Sequence, residues 1–432
     1  MLVPLGFRPW EISALVNHQI VARHAEDAAF LWSQRRRACN EPHYTLLDLQ
    51  SLDERVEANL EGLRVAADRG WEACRANLEN MSLGEVFALG ALAFSSGRRD
   101  WMRDALFTAC AQPEFQAGLI SALGWLPFDA VAPWLSLLLR SSVAQHRRIA
   151  IAAYAIHRCD PGPALSAAVD DPDPGLRSRA LRAVGELRRQ DLLGVVLDHV
   201  RDEAADCRFW SAWSVTLLGR REGLSDLRRV VEAGEPRQLR ALELVVRAMH
   251  LEESRSWVSS LASRGASSPT VIMATGMVGD PVAADWLIDR MSDPLLAKLA
   301  GEALASMCGV DLEFQDLTHD PPESDAADST AAPAVDQELE RYVDNLPVPA
   351  PLLVANWWRE NRHRFVAGAR YLCGQPISVE AARSILVAGK QRQRQRRAAA
   401  LELACLDATA PFYEVRARGA RQIAQLSSWP SS

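Results

Sequence analysis

The chain has 432 residues, 48% of them apolar and 24% charged, the balance of a folded protein and not of a disordered one. Its formal charge of −7 argues against non-specific nucleic-acid binding, which needs a basic footprint. Lys298 and Lys390 are the two lysines, so nearly all 48 basic residues are arginine; codon bias in a GC-rich genome explains this more simply than function does.

The opening MLVPLGFRPWEIS has no basic region followed by an apolar core, so no signal peptide is expected. No run approaches ~18 apolar residues, so no membrane-spanning helix is expected and the cytoplasm is the expected location. Residues 19–38, QIVARHAEDAAFLWSQRRRA, are helical in pattern. EPHYTLLDLQSLDERVEANLEGLRVAADRGWEACRANLE then gives a turn and further helices, with Thr45 or Asp48 placed to cap. Residues 1–80 read as an N-terminal helical cap.

From residue 81 to 310 the main signal is a period. In DPDPGLRSRALRAVGELR, residues 171–188, apolar side chains fall at Leu176, Ala180, Ala183, Val184 and Leu187, one face of a helix. Asp173 can cap its free N–H groups, and Pro174 fits the first helical position, where no N–H is needed. Leu192 to Val200 reads as the returning helix. A small residue recurs late in each first helix, at Gly124, Ala155, Gly185, Gly219, Ala248, Gly276 and Ala305, in steps of 31, 30, 34, 29, 28 and 29 residues. Pro113, Pro174, Pro236 and Pro294 precede their anchors by 11 or 12 residues, and Pro269 breaks that spacing. A small residue at such a place lets neighbouring helices approach closely.

Residues 311–336 read as a linker. Within them DLTHDPPESDAADSTAAPAVD, from 316, is acidic, rich in Pro, Ala and Ser, and too poor in large apolar residues to bury a core. Residues 337–432 read as a helical closing module carrying LLVANWWRENRHRF, AARSILVAG and KQRQRQRRAAALELACLD.

The stretch D-P-x-x-x-R-x-x-A-x-x-x-x-G, carried by Asp173, Pro174, Arg177, Ala180 and Gly185, resembles the short HEAT-like repeats of phycobilin-lyase-type solenoids, over about residues 82 to 310. The resemblance implies an all-α fold, an α-solenoid of HEAT-like helical hairpins with helical modules at both ends. The end segments HAEDAAFLW, PHYTLLDLQSLDERVEANLEGLRVA, NRHRF…RYLCGQP and RQRQRRAAALEL are similar to an uncharacterised family of bacterial HEAT-repeat proteins. That family tends to be encoded beside type VI secretion spike and tip proteins and has no established catalytic residues. What the resemblance implies is an accessory protein, an adaptor or chaperone for a secretion component or effector.

No catalytic site, cofactor or metal centre is expected. The nine histidines form no H-E-x-x-H, and His18 and His24, six apart, face different ways on a helix. HEAT-like hydroxylases resemble this architecture but use His-Glu pairs, which do not occur here. No phosphate loop and no G-x-S-x-G is present. The eight cysteines are spread singly with no C-x-x-C, a pattern that fits buried free thiols in a reducing compartment.

The candidate partner-binding residues are Arg392, Arg394, Arg396 and Arg397, with Trp357 and Trp358. Four guanidinium groups at one helix start repel, so acidic or phosphate partners would stabilise them. The functional reading is a docking patch; the bland one is a solvated face, or pairing with linker acids such as Asp320, Glu323 and Asp325. Trp357 and Trp358 point about 100° apart on a helix and precede Arg359, Arg362, His363 and Arg364, which places one Trp inside and one near the surface. Trp210 and Trp213 read as core. The expected function is a non-catalytic protein-binding scaffold. The alternatives are a nucleic-acid-binding solenoid similar to HEAT-like DNA-repair glycosylases, for which only residues 392–397 speak, and a lyase or hydroxylase-type enzyme, which would need clustered His, Glu or Cys.

Overall fold

A computed structural model describes residues 17–78, 82–319 and 341–429. The stretch read for a leader lies outside the described residues, as do Asp320, Glu323 and Asp325. Apart from one antiparallel pair, Tyr371–Leu372 with Gln375–Pro376, and two isolated bridges, the regular structure of the described residues is helical. The chain is all-α, as its periodicity implies. It forms two compact units. The first comprises residues up to Cys39, Leu47–Ala168 and Arg416–Gln422; the second comprises Asn40–Leu46, Val169–Val415 and the residues from Ile423.

In the first unit α1 (His18–Ala38) starts at Asn17, whose side chain accepts from the Gln19 and Ile20 N–H groups. It is followed by α2 (Leu46–Val65), α3 (Asp68–Asn77), α4 (Leu83–Ser96), α5 (Arg99–Ala111), α6 (Gln116–Trp125), α7 (Phe128–Leu139), α8 (Ala144–His157) and α9 (Pro163–Ala168). Thr45 stands just before α2, and Asp48 lies in its first turn. At the head of α4 the Glu85 carboxylate accepts from the Ser82 N–H at 2.7 Å, using an N–H the helix leaves free. α4, α6 and α8 pack in succession, with α5 packed on α4 and α6 and α7 packed on α8. The core runs through aromatic contacts: Trp32 stacks on Phe87 at 4.7 Å, and Phe87 meets Trp125 edge-on at 5.5 Å.

The second unit repeats the arrangement. α10 (Pro174–Glu186), α12 (Ala205–Leu217), α14 (Gln238–Ala248), α16 (Ser268–Val278) and α18 (Ala297–Cys308) pack each on the next. Their returning partners are α11 (Leu193–Asp198), α13 (Leu224–Glu232), α15 (Leu251–Ser263) and α17 (Ala284–Arg290). Asp173 caps α10 as its chemistry requires, accepting from Leu176 N at 2.7 Å with Pro174 in the first turn. The returning stretch after α10 is shorter than its apolar run, because 3-10 turns flank α11 on both sides.

The small-residue anchors divide. A Cβ at Gly124 would fall 2.6 Å from Ile156 Cγ2, at Gly185 2.5 Å from Ser214 Oγ, and at Gly276 2.6 Å from Ala303 Cβ, so these three permit close helix approach. Gly219 does not belong with them. It lies beyond the end of α12, at φ +89° with open space around it, and serves the turn. The residue that meets its neighbour in α12 is Ser214, whose hydroxyl donates to Leu181 O at 2.7 Å.

Residues 311–319, read as the start of the linker, are packed chain. Leu312 and Leu317 are buried, His319 N donates to Val348 O, and Ala350 N donates to Leu317 O. The rest of the linker lies outside the described residues. After it come α19 (Pro351–Asn361), the strand pair, α20 (Val379–Val387), α21 (Gln393–Leu406) and α22 (Gly419–Ser427). The strand pair is fixed by helix ends. Tyr371 N donates to Gly279 O just past α16, and Cys373 N and Gly374 N donate to Ser306 O and Met307 O at the end of α18. These are carbonyls that a helix C-terminus leaves free. α20 and α21 close a separate core of Leu46, Leu372, Ile385, Leu386, Leu403, Tyr413 and Leu426.

Candidate functional site

The basic run sits at the N-terminal end of α21, and the second unit turns it inward. Thr45 bridges Arg392, and Gln393 N donates to Tyr44 O at 2.8 Å, so this helix start is docked on residues 40–46. Gln395 accepts from Arg392 N, and the Arg392 guanidinium pairs with Asp311 at 2.9 Å. Arg394 lies over the Tyr342 ring, 4.1 Å from its centre, and donates to Asn40 O and Tyr342 O at 2.7 and 2.8 Å. Its other nitrogen is 3.7 Å from Glu302. Burial raises the Glu302 pKa against the pull of Arg394 and Arg392, and burial pushes the Tyr342 hydroxyl up to about 12. Arg397 pairs with Glu243 at 2.5 Å. Arg396 is 0% exposed and donates to Leu386 O from two nitrogens at 3.3 Å. The four side chains therefore do not form an open docking patch. Three of them face other acids, Arg392 with Asp311, Arg394 with Glu302 and Arg397 with Glu243, while the linker acids Asp320, Glu323 and Asp325 expected as partners lie outside the described residues.

One residue of this helix has a role the sequence did not suggest. Glu402 is buried two turns beyond Arg394, its Oε1 2.7 Å from Arg370 and 3.1 Å from Arg247. Arg370 also donates to Val278 O, and Arg247 to Glu243 O. Nearby, Arg188 donates to Ala404 O and Asp407 O. Several guanidinium groups thus end on backbone carbonyls or on one shared carboxylate, an arrangement that five donors per side chain allow.

Trp357 and Trp358 divide as their spacing requires. Trp358 is buried and packs against Phe365 at 5.4 Å, which meets Tyr371 at 5.1 Å. Trp357 is half-buried. Val354 and Trp358 form the inner face of α19; Leu352, Leu353, Asn356, Arg359 and Glu360 face outward. Leu352 is 82% exposed, and Val366 just beyond is 66% exposed. Arg359, Arg362, His363 and Arg364 are exposed. Arg359 and Arg364 bond to the amide oxygens of Asn356 and Asn361 at 3.1 Å. Among the described residues no carboxylate lies within ion-pair distance of Arg359, Arg362 or Arg364. Trp210 and Trp213 are buried, meeting edge-on at 5.6 Å.

All eight cysteines are free thiols. Burial pushes the thiols of Cys74, Cys308, Cys373 and Cys405 up to about 12, which leaves them protonated and unreactive near neutral pH. Among the described residues no group of three or more His, Cys, Asp or Glu could hold a metal ion, and no helix is long and apolar enough to cross a membrane. No protein-family model matches the chain, and no curated protein matches it.

Proposed function

We propose that the protein is a non-catalytic scaffold that binds a protein partner. The observation that carries this is the succession α10, α12, α14, α16 and α18, each packed on the next within one unit. Such a succession presents a row of similar helix faces, which suits holding another chain. The eight free thiols fit a reducing compartment such as the cytoplasm. The narrower form of the proposal is an adaptor or chaperone for a type VI secretion component or effector. It is supported by the resemblance of the two end segments to bacterial HEAT-repeat proteins found in that gene context.

The test is co-purification of the tagged full chain from its source cells with quantitative mass spectrometry. One protein recovered near stoichiometric amount and retained through a nuclease wash supports a scaffold; a spike, tip or effector protein supports the narrower form. Recovery of nucleic acid alone, released by salt, overturns the scaffold reading in favour of a phosphate-binding one.

A further inference from the structure

We infer that the outward face of α19 and the turn after it form the docking surface, and that its occupant is an acidic, partly apolar segment of another protein. This deepens the scaffold reading and rests on it. Offsets of four and three place Leu352, Asn356 and Arg359 on one helix face, with Leu353 beside them. The face is apolar at its N-terminal end and basic at its C-terminal end, where Arg359, Arg362 and Arg364 follow within one turn and a half, then Val366. Glu360 is the one acid in that run, so the cluster keeps a net positive charge with His363 neutral.

Charge complementarity identifies the occupant. The chain as a whole is acidic, at −7, and its arginines elsewhere commonly meet carboxylates: Arg392 with Asp311, Arg397 with Glu243, Arg177 with Asp202, Arg64 with Glu57. Among the described residues, Arg359 in α19 and Arg362 and Arg364 in the turn after it stand without one, beside leucines 82% and 46% exposed. Part of the basic charge there complements the helix C-terminus. That accounts for Arg359 in the last turn, but it gives no reason for Leu352, Leu353 and Val366 to face water next to it. A phosphate backbone would leave those apolar side chains uncovered. An acidic segment with apolar side chains would cover them and pair the arginines together.

The experiment places the photocrosslinker benzoylphenylalanine in the full chain at position 352, and separately at position 107, where Phe107 is exposed in the other unit. Cells are irradiated and the crosslinked peptide is mapped. The expected result is a crosslink from position 352 to a segment of another protein rich in Asp and Glu. Its yield falls about tenfold or more in R359E/R362E/R364E. It rises in E360Q, and melting of both variants stays that of the parent. A crosslinked segment without excess acid, a yield unmoved by charge reversal, or a crosslink only to this chain's own residues 320–340 overturns the inference. If position 107 or co-purification yields a partner and position 352 does not, the surface is wrong and the scaffold reading stands. If nothing is recovered by any route, both fail.

Discussion

Arg35 and Asp53 meet inside the first unit, Nε to Oδ1 at 2.7 Å, and together they hold a segment nearly four hundred residues further along the chain. The Arg35 guanidinium donates to Arg416 O and Ala417 O at 2.6 and 2.7 Å, and the second carboxylate oxygen of Asp53 accepts from Gly419 N at 2.6 Å. Both side chains are buried. Removing Asp53 takes its carboxylate away from the Arg35 charge in a low dielectric, which costs about 3–5 kcal/mol. Asp53→Ala is expected to lower the urea midpoint accordingly and to open a protease site near residues 416–419. Parent-like unfolding with no new cleavage would show that the pair does not hold this segment.

Two arginines read alike in the sequence should respond oppositely. Arg396→Ala removes a buried guanidinium, leaves Leu386 O without its donor and opens a cavity; the expected loss is about 3 kcal/mol or more. Arg359→Ala, on the exposed side of α19, should change stability by no more than about 0.5 kcal/mol. Differential scanning of the two variants against the parent decides it. The quadruple reversal of Arg392, Arg394, Arg396 and Arg397 to Glu is accordingly expected to misfold the second unit and is unsuited as a binding test.

The helices were legible where local chemistry writes them. Asp173 before Pro174 fixes the start of α10, and the offsets from Leu176 to Val184 fix its inner face. Helix geometry sets Trp357 and Trp358 about 100° apart, but that Trp358 is the buried one is decided by its packing on Phe365, which the spacing does not show. The register of the small residues was only partly legible, because a glycine that eases helix contact and a glycine that turns the chain look the same. Gly185 is of the first kind and Gly219 of the second, and only the neighbouring helix tells them apart. The fate of the arginine run was not legible at all. Its partners Asp311, Glu302 and Glu243 are 81 to 154 residues away, and no local pattern joins them. For the same reason the grip of Arg35 and Asp53 on residues 416–419 leaves no mark in the sequence.

Three glycines make that distinction measurable. Gly185→Ala places a Cβ 2.9 Å from the Cα of Ser214, a backbone atom that cannot swing aside. The gain in helix propensity, about 1 kcal/mol, is expected to be outweighed by overpacking of about 1–3 kcal/mol. Gly219→Ala meets nothing, but φ +89° strains any Cβ-bearing residue, so it too destabilises, by about 1 kcal/mol. Gly194→Ala, within α11 and in open space, should stabilise by about 0.4–1 kcal/mol. Thermal melts of the three variants should therefore divide two down and one up. A stabilised Gly185→Ala would mean that α10 and α12 are not in close contact there.

His157 gives a pH dependence with a definite sign. Its Nε2 lies 2.9 Å from Leu123 O, which can only accept, so Nε2 carries the hydrogen. Its Nδ1 lies 2.9 Å from a nitrogen of Arg421, which can only donate, so Nδ1 presents a lone pair. The ring is thus held neutral. Burial lowers its pKa from 6.5 to about 4, the Arg421 charge adding to the shift and the bond to Leu123 opposing it. Between those two values the unfolded chain binds the proton and the folded chain does not. Stability from this residue is therefore fully present above pH 6.5 and is lost as pH falls toward 4, by an amount on the order of 3 kcal/mol. His157→Gln keeps a polar side chain at the site and removes the titration. Urea unfolding of parent and variant from pH 7 to pH 4.5 should show the parent losing stability faster on acidification, with the two curves converging as pH falls. Parallel curves would mean that the folded and unfolded chains take up this proton over the same pH range and that Arg421 does not face the lone pair of the ring.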